Sequence, residues 1–104
     1  MTGVYVGLRE SAGPLVLVRE RAGEERALLG VFDWGAPGDG ARALAGAMLR
    51  DLGVPATSAM LLAEDFARDV VAGLPAYGFA LARERVDGWL APRRFVPLWV
   101  KGQG

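Results

Sequence analysis

Phe32-Asp33-Trp34-Gly35-Ala36-Pro37-Gly38-Asp39-Gly40 divides the chain: the residues before it read as strands, and those after it, from Ala41 to Leu52 and beyond, read as helices. Three glycines within six positions let the backbone take conformations that side chains disfavour, so a tight, irregular corner is expected. Asp39 stands two residues ahead of an apolar pattern of helical period. There its carboxylate suits the free N–H groups and positive end of a first helical turn, which makes it the expected N-cap. Trp34, between a strand and the glycines, is expected to pack as a lid with its indole N–H on a loop carbonyl.

Upstream, Val4, Val6 and Leu8 alternate with Tyr5, Gly7 and Arg9, the period of a strand with one face covered. Ser11 to Pro14 is a turn. Leu15-Val16-Leu17-Val18 is apolar at every position and reads as a strand buried on both faces or lying centrally in a sheet. The charged stretch Arg19–Arg26, around Gly23, reads as a second turn, and Ala27–Phe32 as a third strand. The simplest product over residues 1–33 is a three-stranded antiparallel meander.

Downstream, residues 39–91 read as the helical part. A first helix buries Ala41, Leu44, Ala45, Met48, Leu49 and Leu52 on one stripe, leaves Arg42, Gly46 and Arg50 on another, and stops at Gly53 with Pro55 close behind. Gly46 is expected to pack closely against another backbone. A second helix, capped by Thr57 or Ser58, buries Ala59, Leu62, Ala63, Phe66, Val70 and Leu74. Leu61 falls among its polar residues Glu64, Asp65 and Arg68, and Glu64 with Arg68 has the spacing of an i,i+4 ion pair. Residues 77–81 read as an extended connector. A third helix over 83–91 faces Val86, Trp89 and Leu90 inward, starts raggedly at Ala82 and ends at Pro92. The segment 93–101 alternates well enough for an edge strand or a tail, with Pro97 keeping it from the sheet interior.

The corner also carries a resemblance. Phe32-Asp33-Trp34-Gly35, Gly38-Asp39-Gly40, Leu44-Ala45 and Met48-Leu49 are similar to the signature F-[DE]-W-G-Y-G-G-S-G-P, followed by a helix, of an uncharacterised bacterial and phage domain family. The similarity continues through Glu64-Asp65-Phe66, Val70 to Pro75 and Trp89-Leu90, covering roughly residues 26 to 91. Ala36, Pro37, Asp39 and Ala41 stand where that signature has Tyr, Gly, Ser and Pro, so any role of the Tyr or Ser is absent from this chain. The resemblance implies a fold and no activity.

Composition narrows the chemistry. The 104 residues, 52% hydrophobic, make one domain able to bury a core unaided. No run of about 20 apolar residues and no basic leader is present, so a cytoplasmic protein without a membrane partner is expected. The chain has no Cys and no His, which removes the thiol nucleophile, the thiolate metal site and the commonest general base. Twelve acids balance twelve bases, giving no whole-molecule attraction to nucleic acid. Lys101 is the only lysine and Gln103 the only amide side chain, a bias that suits a GC-rich and thermophilic source. The glycine loop lacks a following Lys-Ser or Lys-Thr, its spacing fails the dinucleotide fingerprint, and Asp39 would repel phosphate. No cofactor, metal site or catalytic residue is therefore expected.

The reading that results is an α+β domain, a three-stranded antiparallel sheet packed against about three helices, with the C-terminal segment available as an edge strand. Its expected role is a small non-catalytic protein-interaction or accessory module, binding an unknown protein or a second copy. The candidate contacts are the loop residues Asp33, Trp34, Gly35, Gly38, Asp39, Gly40 and Arg42, and the α-helical surface Leu61, Glu64, Asp65 and Arg68. One alternative is a nucleic-acid-associated accessory protein of phage or mobile-element type, using Arg42, Arg50, Arg83, Arg85, Arg93 and Arg94. The other is a small carboxylate-based enzyme.

Overall fold

A computed structural model describes residues 3–103, with side chains through Arg93. The fold is α+β. Strands β1 (Val4–Glu10), β2 (Gly13–Arg19) and β3 (Glu25–Ala27) form the expected meander, followed by helices α1 (Asp39–Asp51) and α2 (Ala56–Asp69). A 3-10 turn at Val71–Gly73 leads to β4 (Gly78–Ala82), which runs directly into α3 (Arg83–Gln103). The sheet is antiparallel throughout, in the order β3-β2-β1-β4.

Register sorts the strand residues onto two faces, because directly paired residues share a face and successive ones alternate. Tyr5 pairs with Val18 and Leu81, and Gly7 with Val16 and Phe79; this face is buried against the helices. Val6 pairs with Leu17 and Ala80, Leu8 with Leu15, and Leu17 with Ala27, forming the outer face. Gly7 is required for packing on the inner face, since a Cβ there would lie 2.1 Å from the Phe79 ring. β2 is therefore central, as its unbroken apolar run suggests, and its inner residues Val16 and Val18 are 1% and 0% exposed.

The first helix meets its sequence pattern fully: Ala41, Leu44, Ala45, Met48, Leu49 and Leu52 are all buried. Its end is a Schellman arrangement, with Gly53 N–H on the Arg50 carbonyl, Val54 N–H on the Leu49 carbonyl, and Gly53 at φ +91°.

Several local expectations are corrected. β3 is only Glu25–Ala27; beyond it Leu28 donates once more to Val16, and the chain then turns irregular toward the corner because Phe32 and Trp34 are drawn into the core. α2 begins at Ala56 behind Pro55 with no side-chain cap, so neither Thr57 nor Ser58 serves there; Pro55 supplies its carbonyl to Ala59 N–H. The connector at 77–81 is strand β4, and it takes the sheet edge beside β1 that the C-terminal segment was expected to fill. α3 continues through Pro92 to Gln103, so the backbone of 93–101 is helical; Arg93 reaches back along the helix to the Trp89 carbonyl at 2.6 Å. The absent cap at Ala82 is replaced by a tie from Arg83 N–H to the Gly3 carbonyl, 3.1 Å. Gly46 has no backbone against it: a Cβ there would meet the Ala63 methyl at 3.9 Å, an ordinary contact. Among the described residues no helix is long and apolar enough to cross a membrane.

Candidate functional site

The corner is built from alternation. Phe32 and Trp34 are buried at 6% and 2% exposure while Asp33 between them faces out. Asp33 Oδ1 accepts the Trp34 backbone N–H at 2.8 Å and pairs with Arg9 Nη1 at 2.8 Å. Arg9 also donates from Nη2 to the Trp34 carbonyl (3.2 Å) and from Nε to the Ala76 carbonyl (2.8 Å), and its guanidinium lies 4.1 Å from the centre of the indole. One side chain of β1 thus fastens the corner to the loop before β4. The indole meets Phe79 edge-on at 5.0 Å and 83°, and the Phe79 ring itself lies in the space that Gly7 leaves open.

Two glycines explain the tightness. Gly35, at φ +83°, donates to the Val71 carbonyl (3.2 Å), and a Cβ on it would lie 2.9 Å from Ala76 Cα. A Cβ on Gly40 would come within 2.7 Å of Asp33 Cβ and 2.9 Å of Asp33 N. The loop is folded onto itself at these two glycines, while residues 36–39 stand exposed.

Asp39 is not the cap. Gly38 occupies that position, at φ +149°, with no side-chain cap bond, and its carbonyl accepts from Arg42 N–H. Asp39, the first helical residue, stands exposed and bonds the Arg42 guanidinium one turn on. The expected partner of the indole N–H is also missing: Trp34 Nε1 is buried with no hydrogen-bond partner among the described residues.

Electrostatically, Asp33 is held below the usual carboxylate range, first by the Arg9 guanidinium and then by the Trp34 N–H. A carboxylate so held is an acceptor and counter-ion at neutral pH, with no proton to give.

On α2, Met60 and Leu61 are 77% and 75% exposed, next to exposed Glu64, Asp65 and Arg68. The Glu64–Arg68 pair does not form, because Arg68 turns to Asp65 and Asp69, both at 3.1 Å. A shallow groove of about 460 Å³ lies between α1 and α2, where Arg42, Gly46 and Arg50 face Ala56, Met60 and Ala63; Arg42 is the one candidate contact that lines it, and Leu61, Glu64, Asp65 and Arg68 do not.

A second polar constellation escaped the sequence reading. Asp51, at the end of α1, accepts from the Tyr5 hydroxyl (2.7 Å) and pairs with Arg26 (2.5 Å) and Arg83 (3.3 Å); Glu20 bridges the same two arginines at 3.3 and 3.0 Å. The Asp51 side chain is only 5% exposed. Burial, reinforced by the Asp51 carboxylate, pushes the Tyr5 phenol well above its ordinary value, so it stays a neutral donor. With Tyr5 and the Asp51 side chain buried, this is a lock joining sheet, α1 and α3, with Arg26 and Glu20 partly exposed at its outer edge. Its members are 46 or more positions apart where Tyr5 meets Asp51 and Arg83 meets Glu20, so no local spacing announces them.

A four-stranded antiparallel sheet with helices on one face, tied at a glycine corner by a buried tryptophan, places the protein among small α+β domains. Residues 5–92 match a family of unknown function (DUF6166), and the chain belongs to that family. No curated protein and no solved structure matches it.

Proposed function

We propose that the chain is a small non-catalytic protein-interaction or accessory module of the cytoplasm, with its contacts at the exposed rim of the 33–42 corner and on the outer surface of α2. The observation that supports this reading is the adjacent pair Met60 and Leu61, both about three-quarters exposed in mid-helix and bordered by charge. Large aliphatic side chains placed side by side in water gain most from a partner that covers them, and a charged border gives such a contact its orientation. Arg42 and Arg50, across the groove from Met60, supply that border on the α1 side. Trp34 contributes by holding the corner in shape.

The test is affinity capture from the native organism with the wild-type chain and a Leu61→Glu, Arg42→Glu double variant of unchanged circular dichroism. A partner identified with the wild type and lost from the variant supports the reading. An identical set of captured proteins overturns it.

A further inference from the structure

The outer face of the sheet has the wrong chemistry for a surface left in water. In a two-layer domain the strands ordinarily alternate apolar inward and polar outward. Here Val6, Leu8, Leu15, Leu17, Ala27 and Ala80 stand together on the outer side, placed there by the pairings of β1 with β2 and β4 and of β2 with β3. All the described buried residues of α1, α2 and α3 belong to the one core on the opposite side, with Val16, Val18 and Phe79. The run Leu15–Val18 is thus dressed for burial on both sides and receives cover from this chain's described residues on only one.

We propose that a second copy of the chain covers this face, the two sheets stacking across a two-fold axis. Charge selects this occupant. The face carries Arg19 and Glu25, paired at 2.6 Å at one corner, and Glu10 at the opposite end of β1. Its centre carries no charge, which offers nothing to nucleic acid or to anionic lipid headgroups and matches a second uncharged face. An axis running across the strands at the Gly7–Val16 row, midway between the Val4–Arg19 and Glu10–Gly13 rows, reverses the partner's strands, as an isologous contact allows. It brings Glu10 of each copy toward the Arg19 corner of the other, at the roughly 10 Å spacing of stacked sheets.

Area sets the strength. Two seven-residue strands, flanked by three- and five-residue ones, give a face about 23 Å long and about 15–19 Å wide, or roughly 400 Å² per copy. The total of about 800 Å² lies below the roughly 1,200 Å² of stable specific interfaces, in the range of weak, concentration-dependent association. This contact lies on a different face from those proposed above and goes beyond them.

Sedimentation equilibrium of the purified chain, from a few to several hundred micromolar, tests it. The average mass is expected to rise with concentration from 11.0 kDa toward twice that value. Leu17→Glu should hold it at the monomer value throughout, with an unchanged dichroism spectrum. Ala80→Glu, at an exposed position of the same row, should do the same if the first variant unfolds. Leu61→Glu should leave the dimer intact. A wild-type chain that stays monomeric at every concentration overturns the proposal, as does a dimer that survives Leu17→Glu and Ala80→Glu or dissociates on Leu61→Glu. Loss of a captured partner through Leu61 is read in a separate assay, so the two proposals fail independently.

Discussion

Two tryptophans in this chain stand in nearly the same company and differ in the fate of the indole N–H. Trp34 lies under Arg9 at 4.1 Å, edge-on to Phe79 at 5.0 Å, beside Asp33; Trp89 lies under Arg93 at 3.8 Å, edge-on to Phe66 at 4.9 Å, beside Asp69. At Trp89 the carboxylate accepts the indole N–H at 2.9 Å, and the ring is left half-buried. At Trp34 the carboxylate is spent on the backbone N–H and on Arg9, and the ring is sunk to 2% exposure with Nε1 unpartnered among the described residues. The same four residue types therefore serve two ends. One site trades a hydrogen bond for packing, and the other keeps the hydrogen bond at the surface.

The largest effect expected from this difference is on stability. Trp34→Ala should cost about 3–5 kcal/mol, the usual loss for truncating a fully buried large aromatic. On a domain of this size that lowers the melting temperature by more than about 10 °C. Trp89→Ala should cost clearly less, because part of its ring is already in water. Thermal melts of the two variants, side by side, make the check. Equal losses would mean that burial is not what separates the two corners.

Much of the Trp34 corner was legible in the chain, because its signals are local. The strand-to-helix change, the clustered glycines and the period of α1 all lie within a window of about twenty residues, and the burial of Trp34 follows from its place between them. The cap was misplaced by one residue. Gly38 reaches φ +149°, where an aspartate would be strained, so the chain turns there and leaves Asp39 inside the helix. The Trp89 corner was invisible for the opposite reason, since Asp69 and Trp89 are twenty positions apart on different helices and meet only through tertiary packing. Arg9, which fastens Trp34, reads in sequence merely as the polar phase of a strand. The Asp51 lock fails to announce itself on the same ground. Nor does a proline in sequence reveal that the helix around it will persist, as α3 does through Pro92.

A finer comparison separates ring from N–H. Trp34→Phe keeps an aromatic ring in the cavity and removes a buried donor whose lack of a partner costs about 1–3 kcal/mol. Its loss should be less than half that of Trp34→Ala. Trp89→Phe also keeps a ring but breaks the bond to Asp69, so a larger fraction of the Trp89→Ala loss should already be present in it. The measured ratio of Phe loss to Ala loss, from chemical denaturation of all four variants, should be lower at 34 than at 89. Equal ratios would imply that a partner for Trp34 Nε1 exists in solution.

The smallest expected effect is on acid stability, and it assigns each carboxylate its role. Asp33 is lowered chiefly by Arg9 and then by the Trp34 backbone N–H; Asp69 is lowered chiefly by the Trp89 indole, with Arg68 and Arg93 behind it. A carboxylate whose folded-state pKa lies below its unfolded value of about 4 stabilises the fold above that value, and the contribution disappears as pH falls through the folded pKa. Both side chains are substantially in water, 61% exposed for Asp33 and 31% for Asp69, so solvent and salt screen the gain to a small one. Arg9→Met should raise the Asp33 pKa toward the ordinary carboxylate range and leave Asp69 unmoved, whereas Trp89→Phe should raise Asp69 and leave Asp33 unmoved. Trp34→Phe should move neither, because Asp33 holds the backbone N–H of that residue and never its ring. Carboxyl carbon NMR titration of the three variants reads all these shifts directly. A rise at Asp33 in Trp34→Phe would show that the indole, with no partner among the described residues, reaches the carboxylate after all, and the two corners would then be the same device.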